Sequence, residues 1–284
     1  MRNKKNIEES IAKIVMGSFT MLIVIVLFSI LAGIFVKGLP ALNWAIVSQV
    51  PKGGYYFGKE GGILNAILGT AYLAAGASLL AVIISVPTAL YIHTYLFSHP
   101  RWQKRVRLWL DVLWGVPPIV YGAFGFNLML FMGWPTSLLA AIVTVSFLIS
   151  PVMIRAMDES LQQVSPGLFE SAISLGFYKG EIGYRFLLKQ TLPGVATAFL
   201  LALGKGIGDT ASVLFTAGYT DYIPESLKEP VATLPLAVFF QLSSPIPEVK
   251  ARAYAAAVVL TIIILVISIL SRLISKKLSK NKVE

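Results

Sequence analysis

The sequence contains no cysteine. Disulfides, thiol catalysis and cysteine-ligated metals are therefore excluded. Histidine is scarce too. His93 and His99 are the only two, too few for a histidine-rich metal site, and no HExxH-type pairing is present, so no metal site is expected. Charge is equally thin. Only 13% of the 284 residues are Asp, Glu, Lys or Arg, against roughly 25% in soluble domains. No polar segment is long enough to fold as a second, soluble domain. A phosphate-binding G-x4-G-K-[ST] loop is missing as well, because "GKGIGD" at 204–209 has neither the spacing nor the strand-to-helix context. The chain cannot hold ATP through a P-loop of its own, and no catalytic constellation is visible.

What is present is apolar. Hydrophobic residues make up 56% of the chain and the mean hydropathy is +0.75. A bilayer core of about 30 Å needs roughly 20 apolar residues as a helix. Ile14 to Val36 is uncharged over 23 residues, and a second uncharged stretch runs from Gly61 past Tyr91. Val112 to Ile154 is uncharged for 43 residues, enough for two spans, with "GWPTS" at 133–137 as the turn between them. A fifth span runs from about Leu192 to Thr216, interrupted only by Lys205 and Asp209, and a sixth from about Ala253 to Ser271. The expected fold is an all-α integral membrane protein of six transmembrane helices. The first apolar run exceeds a signal-peptide core in length and no A-x-A-like site follows it, so it is read as a retained helix.

The net charge of +10 does not indicate nucleic acid. The bases cluster between the apolar runs and at the C-terminus, which is a topology signal. With the N-terminus inside, the inner segments hold 17 Lys and Arg and the outer ones six, Lys205 being the remaining one. That bias orients both termini to the cytoplasm. Residues 1–13 then form a cytoplasmic tail, 14–274 a single transmembrane domain, and 275–284 a basic cytoplasmic tail. Two outer segments, about 37–62 and 218–252, and one inner segment from Arg155 to Gln190 are large enough to act.

The inner segment reads "SPGLFESAISLGFYKGEIGYRFLLKQTLPG" (165–194). Ser165 and Pro166 make an N-cap and N1 pair. Leu168, Ala172 and Leu175 fall at helical spacing, and Gly176 is a natural stop. A second amphipathic stretch begins near Lys179. The result is helix, glycine turn, helix, which on its own reads as an inter-helix connection folded against the bundle.

Glu170, Ser171, Ala172 and Gly176, spaced E-S-A-x3-G, resemble the EAA loop of ABC-importer permeases. Ser171 replaces the family's usual first alanine, and Lys189 stands where proline is frequent. The resemblance extends to "GGILNAILGT" (61–70), "GVPPIVYGAFG" (115–125), "GIGDTASVLFTAG" (206–218) and "ATLPLAVFFQLSSP" (232–245). In that order these segments look like the PstA-type permease subunits of phosphate-specific ABC importers. The resemblance implies a type I importer permease fold in the cytoplasmic membrane of a prokaryote, forming half of a phosphate path. It also implies that loop 158–190 couples to the motor. The implied partners are a second, PstC-like permease subunit, a dimer of a PstB-like ATPase that carries ATP and Mg, and an extracytoplasmic PstS-like phosphate-binding protein. No cofactor is expected on this chain. Another oxyanion or a phosphonate remains an alternative substrate, and a stand-alone secondary carrier an alternative class.

On a continuous helix, Lys205, Asp209, Ser212 and Thr216 fall within one narrow stripe, with Leu203, Ile207 and Leu214 opposite. A charge at mid-bilayer costs about 2.5–3.5 kcal/mol, so the stripe should face protein or water. It is either a structural i,i+4 ion pair or part of the lining of the path. The expected path residues are Lys205, Asp209, Thr210, Ser212 and Thr216. In the resembling family an arginine and a glutamate usually hold the two charged places. Gly204 and Gly208 mark close packing or flexibility. "VPP" at 116–118 interrupts the third span by removing backbone donors, and Trp109, Trp114 and Trp134 read as interface anchors.

Overall fold

A computed structural model describes residues 2–54, 58 and 60–279; the end of the expected basic tail, 280–284, lies outside the described residues. The chain opens with α1 (Arg2–Gly38), a short α2 (Trp44–Ser48) and a two-stranded antiparallel ribbon. In that ribbon β1 (Pro51–Lys52) pairs with β2 (Glu60–Gly61). Two long helices, a bent pair and a short helix follow: α3 (Leu64–Thr94), α4 (Pro100–Gly115), α5 (Pro118–Phe131), α6 (Leu138–Gln162) and α7 (Pro166–Ser174). A helical stretch of α8 (Lys179–Glu181), a π turn (Ile182–Leu187) and α9 (Leu188–Gln190) leads to α10 (Leu192–Gly208). The chain ends with α11 (Leu234–Leu242) and α12 (Pro247–Ser279).

Four helices are long and apolar enough to cross a membrane, and there are six spans when each bent pair counts as one. The bent pairs are α4 with α5, at 95°, and the Lys179–Gln190 stretch with α10, at 78°. Both breaks have a local cause. Pro117 and Pro118 leave α5 without donors for the preceding turn, and Pro193 does the same at the second position of α10.

The core is the contact of α3 with α6. Leu73, Ala77, Ala81, Ser85 and Ala89 recur every four residues on α3 and are all buried. Opposite them lie Ala141, Val145, Ile149 and Met153 of α6, each fully buried. Lipid tails are as apolar as these side chains, so such helices associate through close packing and not through exclusion from water. The alanine stripe permits that approach. From 11 to 37 no residue of the N-terminal helix α1 is buried, and it meets α12 near Lys37, whose Nζ lies 3.3 Å from the Tyr254 hydroxyl.

The expected outer segment 218–252 is not a free loop: residues 225–230 are exposed, but 231–237 pack into the bundle. Leu234, Leu236 and Ala237 of α11 are fully buried against α3 and α12. Thr233 caps this helix by accepting from the Leu236 amide, and the Thr70 hydroxyl accepts from the Leu234 amide at 2.8 Å. Arg252, counted with the outer bases by sequence, has a buried side chain. Its guanidinium donates to the carbonyls of Glu60 (2.7 Å) and Gly58, and so pins the β ribbon.

Candidate translocation and coupling site

The stretch carrying Lys205 and Asp209 is not one continuous helix. The helix α10 stops at Gly208, and Asp209 is extended, with φ −86° and ψ 125°. Turns occupy 211–216. Three glycines at 204, 206 and 208 weaken the helix, each by roughly 1 kcal/mol relative to alanine. The Asp209 carboxylate then captures the Ser212 amide at 2.9 Å, a local side-chain to backbone bond that competes with helix. The expected single stripe therefore does not form beyond residue 208. Nor does the ion pair: among the described residues no carboxylate lies within 4.0 Å of the Lys205 ammonium.

A broken helix inside a membrane span is tolerated where it is buried in protein or lines a cavity. The first condition holds here. Ser212 and Thr216 are fully buried, whereas Lys205, Asp209 and Thr210 are half-buried. The Ser212 hydroxyl has no hydrogen-bond partner, and the Thr216 hydroxyl has only a long contact, 3.4 Å, to the Ser212 carbonyl. The turn is held from the side by Gly122 of α5, where a Cβ would come within 2.8 Å of the Ala211 carbonyl. This close approach explains that glycine in "GVPPIVYGAFG". Above the break, the Thr216 carbonyl accepts from the Ser137 amide at 2.9 Å and the Val231 amide donates to the Ala217 carbonyl at 2.9 Å. Within α10, Leu201 and Gly208 are exposed and Thr197, Gly204 and Lys205 half-buried. Together they form an open side that leads down to a cavity of about 310 Å³ between α6 and α10.

The loop expected to couple is built as a short helix with a defined stop. The helix α7 begins at Pro166, as the sequence suggests, although the Ser165 side chain makes no capping bond. Gly176 is left-handed, with φ +85°, and the Phe177 amide reaches back to the Ala172 carbonyl at 3.1 Å. This is a Schellman-type end, which glycine adopts without strain. The buried side differs from the expected Leu168, Ala172 and Leu175 line. Phe169 and Ala172 are buried, while Leu175 is 77% exposed, because the buried side is centred between Phe169 and Ala172 and Leu175 falls about 90° away from it at 3.6 residues per turn. Glu170, Ser171, Ile173, Ser174 and Gly176 are exposed too.

Between this loop and the spans lies a charged junction that sequence reasoning missed. Asp158 near the end of α6 has a fully buried side chain. It accepts from Arg107 Nε (2.9 Å) and Nη2 (3.0 Å), Arg155 Nη1 (3.2 Å) and Gln162 Nε2 (2.8 Å). His93 Nε2 lies 2.6 Å from Oδ1, the oxygen that also accepts from Arg107 Nη2. Arg155 also pairs with Asp111 at 3.1 Å. One carboxylate thus ties α3, α4 and α6 together, directly beside α7: the Phe97 and Phe169 rings sit 4.5 Å apart. The available signal was Arg107 and Asp158 flanking a long uncharged run, but orientation counting treats such bases only as a sum.

No group of three or more His, Cys, Asp or Glu positioned for a metal occurs among the described residues.

Comparison with known proteins agrees with this architecture. Residues 81–280 match the family described as binding-protein-dependent transport system inner membrane component. The chain is 31% identical over 248 residues to the phosphate transport system permease protein PstA 2 of Mycobacterium bovis, covering 86% of this chain and 80% of that one. It is 30% identical over 251 residues to the phosphate transport system permease protein PstA of Xylella fastidiosa, covering 87% and 84%. A probable phosphate transport permease of Methanocaldococcus jannaschii is 28% identical over 90% of both chains. Among solved structures, a MetNI methionine ABC transporter in an inward-facing conformation superposes with a TM-score of 0.63 at 16% identity, over 76% of this chain and 95% of that chain. The fold is thus that of ABC-importer permeases, and the chain belongs to the family of binding-protein-dependent transport system inner membrane components.

Proposed function

We propose that this chain forms half of the path by which an ATP-driven importer moves inorganic phosphate into the cell. The observation that carries the reading is the break after Gly208: an unpaired Lys205 on the open side of α10, one helical turn from it. A half-buried cation without a carboxylate partner is available to an anion. Half-buried Thr210 stands beside the break, while the unpartnered Ser212 hydroxyl is fully buried in this chain. The names of the curated relatives supply phosphate as the anion, and the lysine ammonium binds it as a point charge and not through a bidentate fork.

In the same reading, Glu170, Ser171, Ala172 and Gly176 form the coupling element. The exposed edge of α7, with Ile173 and Leu175 apolar at its rim, docks on a separate ATPase dimer that holds ATP and Mg. A second permease subunit completes the path and an extracytoplasmic binding protein delivers phosphate to the end bearing the β ribbon. Both termini lie in the cytoplasm.

The test is uptake of radiolabelled phosphate by the assembled complex. Lys205→Ala should lower uptake by at least about tenfold, roughly 1.4 kcal/mol of lost anion stabilisation, with unchanged assembly. Lys205→Arg should retain it. Because no ion pair exists, adding Asp209→Ala to Lys205→Ala should restore nothing. Wild-type uptake by Lys205→Ala would remove the site.

A further inference from the structure

The elbow between α4 and α5 encloses an apolar groove of about 510 Å³. Leu110, Leu113, Val116, Val120, Phe124 and Pro151 contribute to its walls. The Tyr121 hydroxyl braces the elbow by donating to the Leu113 carbonyl at 2.8 Å, across the break that Pro117 creates. The groove opens outward, since Leu113, Val120 and Phe124 are exposed.

A strip on α4 leads into it. Arg101, Arg105, Trp109 and Leu113 succeed one another every four residues, and all four are exposed. Residues at this spacing share one side of a helix. Two cations come first, then an indole, then a leucine that forms the groove wall. Arg105 lies over the Trp102 ring at 5.0 Å. Among the described residues neither Arg101 nor Arg105 has a carboxylate within 4.0 Å. The one acid of α4, Asp111, is already held by Arg155.

We propose that this strip and groove bind one anionic phospholipid, its phosphate at Arg101 and Arg105 and one acyl chain in the elbow. The polarity order along the strip is that of the lipid: charge, interfacial aromatic, hydrocarbon. Eight residues from Arg105 to Leu113 rise about 12 Å; because α4 meets α5 at 95°, that distance runs across α5, and the lipid chain turns from the cationic end into the elbow. Uncompensated bases at the cytoplasmic edge of a span attract anionic headgroups, while the surrounding solvent for the groove is acyl chain. A zwitterionic lipid brings the same phosphate and chain, but its ammonium offsets the charge that the two arginines attract. The site is independent of the substrate path, which lies on the open side of α10.

The test uses the assembled complex in bilayers of phosphatidylglycerol and phosphatidylcholine, with bound lipid counted by native mass spectrometry. The wild-type complex should retain phosphatidylglycerol in preference to phosphatidylcholine. The double variant Arg101→Gln with Arg105→Gln should lose one retained phosphatidylglycerol, and so should Val120→Phe, which fills the groove. A photoreactive benzoylphenylalanine at position 124 should cross-link lipid. Unchanged retention in either variant overturns the proposal. Cross-linking of position 124 to the second permease subunit overturns it as well, because the elbow is then a protein interface.

Discussion

Removing the Asp158 carboxylate tests the junction between the spans and the coupling loop. The Asp158→Ala change strips the shared acceptor from Arg107, Arg155, Gln162 and His93 at once. Arg107 and Arg155 have side chains only 22% and 25% exposed, so water replaces the lost acceptor incompletely. Breaking a buried pair by deleting one partner costs about 3–5 kcal/mol. Partial exposure of the two guanidiniums places this case near the lower end, at about 3 kcal/mol, or roughly two orders of magnitude in the folding equilibrium. For a chain of this size that is a fall of about 5 °C in melting temperature. The assay is thermal unfolding of the purified complex in detergent, followed by loss of monodispersity. Glu159→Ala is the control. Its carboxylate is 64% exposed and 3.9 Å from Arg155, and its loss should shift stability by less than about 0.5 kcal/mol. An Asp158→Ala complex that melts with the wild type would refute the view of this carboxylate as the tie between α3, α4 and α6.

Two further outcomes concern the loop and the orientation. Gly176→Asp places a side chain at φ +85°, costing about 1–2 kcal/mol locally, and should uncouple transport from ATP hydrolysis or release the ATPase while the permease stays inserted; normal uptake and normal ATPase retention would count against α7 as the coupling element. Because no native cysteine exists, a single cysteine at Ser226 should react with an impermeant thiol reagent from outside, and one at Ser98 or Ser165 should not. Outside labelling at Ser98 would reverse the assigned orientation.

The spans were legible because long uncharged runs report burial in lipid regardless of detail. The turn at 133–137, the start of α7 at Pro166 and its stop at Gly176 were legible for a different reason: proline and glycine act locally. The break after Gly208 was not read. Residues 206–216 are apolar enough to continue a span, and a periodicity argument assumes the helix that it then measures. The sign was local chemistry, three glycines at alternate positions followed by an aspartate able to hold the Ser212 amide. The burial of α11 was hidden because a nine-residue helix is too short to register as a span. Asp158 and Arg252 were obscured for one reason. Counting charges fixes which side a loop is on but not which charge turns inward, and only packing decides that Asp158 meets Arg107 across 51 residues of sequence and that Arg252 reaches Gly58.

The central claim is that this chain conducts phosphate only as part of an ATP-driven assembly. Proteoliposomes containing the chain with its permease partner and ATPase measure it directly, through accumulation of radiolabelled phosphate. The account predicts accumulation that requires ATP, the phosphate-loaded binding protein and this chain together, and that falls by at least about tenfold with Lys205→Ala. Phosphate movement by this chain alone without ATP, or ATP-driven accumulation of a different oxyanion in place of phosphate, would contradict it.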